Sequence, residues 1–123
     1  MEDWEPTTLA KLQAVLAGDL SRCTAAQLAL WERCRVSPRR AAIVRYGSPE
    51  HVFVVAEHKG EAIYWEDVEE GFNVSPLGPS GEVLEHWCNQ DELRWALNRW
   101  LQPSAAYQRV GPAQPVKISC GRE

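Results

Sequence analysis

Leu9, Leu12, Val15 and Leu16 follow helical spacing near the N-terminus, and Leu28, Trp31 and Arg35 lie on one stripe of a second short stretch. The first stretch, residues 9–18, follows a threonine cap at position 7 or 8 and reaches a glycine that favours a helix end. The second begins at Thr24, where Gln27 completes the form of a capping box, and is expected to continue to about Arg35. Pro38 forbids a longer helix. The pattern therefore predicts two short antiparallel N-terminal helices.

Short apolar runs separated by turn residues follow, with no helical stretch between them. The runs are 41–46, 52–56, 62–65, 72–77 and 83–87. Successive strands without crossover helices favour an antiparallel meander over a parallel sheet. A further helix is predicted from Gln90 to Leu101, capped by Asn89 with Glu92 three residues later, and its apolar stripe is expected to pack on the sheet.

Residues 51–74 carry the central β-hairpin, whose Lys59-Gly60 loop suits a two-residue turn. Regular alternation from this turn predicts four cross-strand pairs: Glu57 with Ala62, Ala56 with Ile63, Val55 with Tyr64 and Val54 with Trp65. One face then carries Val52, Val54, Ala56, Ile63 and Trp65 and is expected to be the core side. The opposite face carries Phe53, Val55, Glu57, Tyr64 and Glu66 and is expected to reach solvent.

The fold class predicted from these patterns is α+β. Two N-terminal helices precede an antiparallel meander sheet of four to five strands, and a C-terminal helix packs on that sheet. A chain of 123 residues is long enough for one such domain with a real core, and we assign it to residues 1–101. Prolines and glycines interrupt every periodicity in residues 102–123, which we predict to be an extended or weakly ordered tail.

Charge is unevenly distributed along the chain. The net charge is −4, yet residues 41–101 hold 11 acidic and 4 basic side chains, a formal charge of −7. A negative field of this kind repels nucleic acid and speeds encounter with a basic partner. Because no stretch is apolar enough to span a membrane and no leader is recognisable, we expect a cytoplasmic protein with neither a membrane nor a nucleic-acid partner.

Candidate chemistry is sparse. The carboxylates between Glu66 and Glu70 lack the spacing of a calcium loop. His86 and Cys88 would share a strand face, but no orienting carboxylate is fixed by their spacing. The four cysteines, Cys23, Cys34, Cys88 and Cys120, show no metal-binding or disulfide pattern. We therefore predict no catalytic residues, no cofactor and no metal.

The solvent-facing side of the hairpin and the adjoining turn form the predicted binding surface. Aromatic rings beside carboxylates are typical of protein recognition, with the rings as anchors and the charges giving steering and specificity. The residues predicted to bind a protein partner are Phe53, Glu57, Tyr64, Glu66, Asp67, Glu69 and Glu70.

A resemblance adds to this interpretation. The run from Trp65 to Ser75, Gly81 with Leu84, and the stretch from Cys88 to Leu93 with Ala96, Leu97 and Trp100 resemble small bacterial α+β proteins. The overall build, with two helices, a curved acidic sheet and a closing helix, is similar to that of the immunity proteins of bacterial polymorphic toxin systems, and the likeness covers about residues 40–101. It implies stoichiometric blocking of a basic toxin domain without catalysis, and no binding residue is carried over from it.

Three alternatives stay open at this point. The first is a small hydrolase-like or metal-binding enzyme that uses the carboxylates between Glu66 and Glu70, or His86 with Cys88. The second is a homo-oligomeric structural protein whose Phe53 face pairs with itself. The third is a small regulator that binds nucleic acid through the arginines between Arg33 and Arg40, which would show strongly salt-dependent binding.

Overall fold

The computed structural model describes residues 7–103, which form three helices and one four-stranded sheet. The elements in chain order are α1 (Leu9–Leu20), α2 (Ala25–Cys34), β1 (Arg35–Arg45), β2 (Ser48–His58), β3 (Glu61–Glu66), β4 (Gly71–Pro76) and α3 (Leu93–Leu101). All neighbouring strands are antiparallel and follow chain order, so the predicted α+β meander is confirmed. None of the described helices is long and apolar enough to cross a membrane.

The two N-terminal helices start where their caps predict. The Thr8 hydroxyl accepts a hydrogen bond from the Lys11 backbone N–H at 3.2 Å, and Thr24 and Gln27 form the complete capping box. Helix α1 runs two residues past Gly18, because a helix with favourable packing need not end at the first glycine. Strand β1 begins at Arg35, well before the predicted start at residue 41.

A β-bulge at Val55 changes which hairpin residues share a face. Glu57 pairs with Ala62 and Ala56 with Ile63, as predicted, but Val54 then pairs with Tyr64 and Phe53 with Trp65. The predicted pairs of Val55 with Tyr64 and of Val54 with Trp65 are therefore wrong. One extra residue on β2 reverses the alternation for everything before it, which is the usual consequence of a bulge.

Both faces of the sheet are covered. The face that carries Ile63 and Trp65, which we call the first face, packs on all three helices. Its core includes Val55, Ile63, Trp65, Phe72 and Val74, together with apolar residues of the helices. Predicted apolar positions of α3 pack there as well, namely Leu93, Ala96, Leu97 and, partly buried, Trp100. Residues of α2 that contribute are Leu30, Trp31 and Cys34, whereas Leu28 is exposed.

The second face is covered by the segment from Leu77 to Asp91, which we call the covering segment. Val83 packs there against Ala41, Ile43, Val52, Val54, Ala62 and Tyr64. The Val83 backbone N–H donates to the Ala42 carbonyl of β1 at 2.9 Å, and the Leu84 N–H donates to the carbonyl of Pro76, the last residue of β4, at 3.2 Å. One short stretch thus bridges the two edge strands and curls the sheet around this second core. Val83 forms only an isolated bridge with Leu77, so the run 83–87 is not a fifth strand of the sheet.

The start of α3 differs from the sequence-based prediction. The helix begins at Leu93, and Asn89 is instead buried against β4, where its backbone N–H and carbonyl bond the Asn73 side chain at 3.0 and 2.9 Å. The Leu93 N–H donates to the Asp19 carboxylate of α1 at 2.9 Å. A side chain distant in sequence therefore supplies the cap that local spacing assigned to Asn89.

Candidate functional site

The structure separates the residues of the predicted binding surface. Phe53 lies on the helix side of the sheet, half-buried, with the Arg40 guanidinium 5.5 Å from its ring centre. Tyr64 lies on the opposite face and is fully buried. The expectation that both rings reach water on one face is wrong for Tyr64, because the bulge at Val55 puts the two rings on opposite faces. Glu57 is half-exposed and pairs with Arg39 at 2.9 Å.

Tyr64 has a structural role under the covering segment. Its hydroxyl accepts a hydrogen bond from the Trp87 backbone N–H at 2.7 Å and lies 3.1 Å from the Trp87 carbonyl, to which it can donate. A buried phenol with donor and acceptor both used holds the covering segment onto the sheet. It is not available to a partner.

Glu66 and Asp67 are also buried, at the end of the sheet where β3 finishes. Both pair with Arg45, which is 1% exposed at the end of β1; the Arg45 Nη1 lies 2.8 Å from Glu66 Oε2 and 2.9 Å from Asp67 Oδ1. Arg45 Nε also bonds the half-buried Glu50 carboxylate. Two carboxylates of the predicted surface therefore neutralise a buried arginine and do not face solvent.

His86 completes this buried charged network. Its Nε2 lies 3.1 Å from Glu66 Oε1 and 3.6 Å from the Cys88 thiol, and its ring makes an edge-to-face contact with Tyr46 at 5.0 Å between ring centres. His86 Nδ1 is buried and makes no hydrogen bond within residues 7–103. The sequence placed His86 and Cys88 near each other, but it gave no sign that Glu66 would join them.

Burial and pairing act in opposite directions on these groups. Burial raises the pKa of Glu66, but the hydrogen bond from His86 and the charge of Arg45 outweigh it, so that the pKa lies below its ordinary value of 4.5. Burial lowers the pKa of Arg45, and Glu66, Asp67 and Glu50 together raise it above the ordinary value of arginine. Both side chains remain charged at neutral pH.

This pKa shift makes the stability of the fold depend on pH. A carboxylate with a depressed folded-state pKa contributes stability above its unfolded pKa, and that contribution is lost as the pH falls through the folded value. We expect the free energy of unfolding of the native chain to fall more steeply below about pH 4.5 than that of the Glu66→Gln variant. Urea titrations between pH 3 and 7 (roughly the window in which carboxylates titrate) test this, and parallel curves would contradict it.

The arrangement does not suit nucleophilic catalysis. In a Cys-His-carboxylate triad the thiol and the carboxylate bond different ring nitrogens, so that the carboxylate orients the base. Here Glu66 and Cys88 both approach Nε2 of His86. Glu66 and His86 are also at most 3% exposed, which keeps the acid and base away from a substrate. Within residues 7–103, no three histidine, cysteine, aspartate or glutamate side chains are placed to hold a metal ion.

The groups that do reach solvent lie on the two turns above this network. In a meander, the β1–β2 and β3–β4 turns are at the same end of the sheet, which brings residues 46–50 close to residues 67–70. We call the accessible part the acidic turn surface, and define it as Tyr46, Glu50, Val68, Glu69 and Glu70. Tyr46 is 55% exposed and Val68 36%, while Glu70 is exposed and Glu50 and Glu69 are half-exposed.

Tyr46, Glu50 and Val68 are the members of this surface that are absent from the predicted binding residues. The apolar run 41–46 predicts Tyr46 at the end of a strand, but it lies at φ 52° beside Gly47 at φ 76°, in a two-residue turn. The alternation of Ala41, Ile43 and Arg45 along β1 is the sequence signal that could have indicated the buried ion-pair network, because it places the Arg45 side chain on the buried face.

The basic residues between Arg33 and Arg40 do not form one stripe. Arg39 is on the second face of the sheet with Glu57, whereas Arg40 is on the first face with Phe53. Arg35 pairs with Glu32 within the helix end. This separation gives the nucleic-acid alternative no continuous basic surface in the described part of the chain.

The cysteines of the described residues form no disulfide bond. Cys23, Cys34 and Cys88 are all free thiols, and Cys120 lies outside the described residues. Burial raises the pKa of Cys34, whose sulfur lies 3.5 Å from His58 Nδ1, so its thiol is less reactive than an exposed one.

Comparison with known proteins adds no relative to this description: no protein-family model, no curated protein and no solved structure matches the chain.

Proposed function

We propose that the protein is a non-enzymatic binding module that engages a basic protein through the acidic turn surface. The observation that carries this proposal is the placement of an exposed tyrosine among carboxylates, on two turns fixed from below by a buried ion-pair network. Exposed aromatic anchors with a charged rim are typical of protein interfaces. Glu69 and Glu70 are the predicted partner residues that remain on this surface.

The rigidity of the support favours recognition. Glu66 Oε2 accepts the Val68 N–H at 3.1 Å, and the Glu70 N–H donates to the Glu66 carbonyl at 2.7 Å, so the β3–β4 turn is bonded to the buried network. A surface that is ordered before binding loses less entropy when a partner docks. A stoichiometric inhibitor of a basic toxin domain, the role that the sequence resemblance implies, would use such a surface.

Charge reversal at one exposed position tests this proposal. The full chain is used to recover partners from an extract of cells that carry its gene, after nuclease treatment to remove nucleic-acid bridges. We expect Glu70→Lys to reduce recovery of a basic protein by about tenfold, the effect of roughly 1.4 kcal/mol at an interface. The recovered protein is identified by mass spectrometry and its binding is measured again with purified components.

Glu32→Lys is the matched control. Glu32 is exposed on α2, away from the turns, and its replacement changes the net charge by the same amount. Recovery should be nearly unchanged in this variant. Equal losses in both variants would show a non-specific effect of net charge, and undiminished recovery with Glu70→Lys would contradict the site.

A further inference from the structure

Tyr46 occupies a backbone conformation that disfavours it. At φ 52° it is the first residue of a two-residue turn in which asparagine, aspartate or glycine is preferred. A bulky side chain in the left-handed region costs on the order of 1 kcal/mol. The fold keeps it there through the edge-to-face contact with His86, at an interplanar angle of 83°. Strain retained at an exposed ring is a reason to look for function at that ring.

The surroundings of Tyr46 are negative. Partial burial, followed by interaction with the Cys88 side chain and by the negative charges of Glu66 and Glu69, raises the pKa of the Tyr46 hydroxyl above the ordinary value. The phenol therefore stays protonated, and its ring keeps a neutral, electron-rich face. Negative charge beside an aromatic face is the environment that attracts a cation.

Other rings of this molecule show what that cation would be. Phe53 has the Arg40 guanidinium 5.5 Å from its centre, and Trp95 has the Arg94 guanidinium at 4.6 Å. Tyr46 is more exposed than Trp95, at 55% against 44%, yet no arginine or lysine within residues 7–103 lies over its ring. The Tyr46 ring and the neighbouring carboxylates therefore lack only a cation over the ring among the described residues.

We propose that Tyr46 is the anchor for an arginine side chain of the basic partner, with its guanidinium stacked on the ring and paired with the Glu69 carboxylate. The inference rests on the proposed function and names the chemistry that this surface recognises. Gln90 Nε2 lies 3.5 Å from Glu69 Oε1, so one carboxylate oxygen is already directed by the covering segment. A planar guanidinium can stack and form parallel hydrogen bonds at once, whereas an ammonium group cannot.

A short peptide isolates this contact from the rest of the interface. The full ¹⁵N-labelled chain is titrated with a capped glycine peptide that contains one arginine, and with otherwise identical peptides that contain lysine or citrulline. We expect shifts centred on Tyr46, Gly47 and Glu69 with the arginine peptide, about threefold weaker binding of the lysine peptide, and no saturable binding of the neutral citrulline peptide.

Two variants separate the anchor from the fold. Tyr46→Asn places the preferred residue before Gly47 in this turn, so the hairpin is expected to remain intact while arginine binding is lost. Trp95→Asn is the matched control, because it removes an exposed ring that already has its own arginine, and it should leave peptide binding unchanged.

Each result decides the inference. Absence of binding to the native chain, equal binding of the citrulline peptide, or equal binding to the Tyr46→Asn variant would overturn it. If the peptide fails while recovery of the basic protein still depends on Glu70, the arginine anchor is wrong and the binding function stands. If neither depends on these residues, both proposals fall.

Discussion

Replacing Glu66 with Gln is expected to lower the free energy of unfolding by about 3 kcal/mol, the lower end of the cost of breaking a buried ion pair, since it removes one charge opposite a buried arginine. Glu66 is fully buried and bonds Arg45 at 2.8 Å and His86 at 3.1 Å. Glutamine preserves the size of the side chain, so no cavity contributes to the loss. Asp67 and Glu50 remain to pair with Arg45, which keeps the effect below that of a wholly unpaired buried charge. Urea denaturation of both proteins at pH 7 measures the difference.

Glu57→Gln is the matched control, because Glu57 also bonds an arginine but at the surface. The Arg39–Glu57 pair has side chains that are 35% and 37% exposed, and such pairs contribute less than about 1 kcal/mol. The free energy of unfolding should therefore change little in this variant. A cost for Glu66→Gln no larger than that for Glu57→Gln would show that burial does not strengthen this network.

The same network connects the stability of the fold to the proposed site. Arg45 ends β1, Glu66 ends β3, and His86 comes from the covering segment, so one network of ion pairs and polar contacts fixes the position of two turns. We expect a loss at Glu66 to affect the unfolding transition and the order of Tyr46 together. Tyr46→Asn, in contrast, removes the exposed ring and its contact with His86 but leaves every ion pair of the network in place.

The helices and the meander could be predicted because local signals and tertiary packing agree there. The capping box at Thr24 and the Lys59-Gly60 turn act within four residues, and the structure has both. The stripe that includes Leu93, Ala96 and Leu97 is buried as its spacing predicts. Such features need no information about distant parts of the chain.

The face of the hairpin could not be predicted, because the residues around the bulge are uniformly apolar. Val52 to Ala56 offers no polar position that would show which side chains point inward, so a single extra residue is invisible in the pattern. The error moved Phe53 and Tyr64 onto one face. The burial of Glu66 could not be predicted for a separate reason, because it depends on Arg45, a partner 21 residues away in sequence.

The covering segment carries little periodic signal, because its one apolar run, 83–87, predicts a short strand where the structure has only an isolated bridge. Residues 77–91 fold over the second face through backbone bonds to Pro76 and Ala42 and through the Tyr64 hydroxyl. These contacts join positions that are distant in sequence, and they involve main-chain atoms that every residue shares. The predicted solvent-facing side of the sheet was therefore assigned without the element that covers it.

Replacing Gly71 with Ala is expected to destabilise the fold by about 3 kcal/mol, at the upper end of typical overpacking costs. A methyl group there would overlap the Asn89 carbonyl oxygen and the Gln90 Cα, and would lie 2.8 Å from the Asp91 nitrogen. All three are backbone atoms, so no side chain can rotate away. Relief requires residues 89–91 to move, which breaks the hydrogen bond from Phe72 to the Asp91 carbonyl, now 2.9 Å long.

Gly18→Ala is the matched control, and it is expected to raise the free energy of unfolding where Gly71→Ala lowers it. Gly18 lies inside α1, and apart from the adjoining backbone of its own helix no atom lies within 4 Å of an added methyl group, so alanine should stabilise the helix by roughly 0.5–1 kcal/mol. Denaturation midpoints of the two variants should therefore shift in opposite directions from that of the native chain. A neutral Gly71→Ala variant would mean that the covering segment is not held against β4, and the closure of the second face would have to be abandoned.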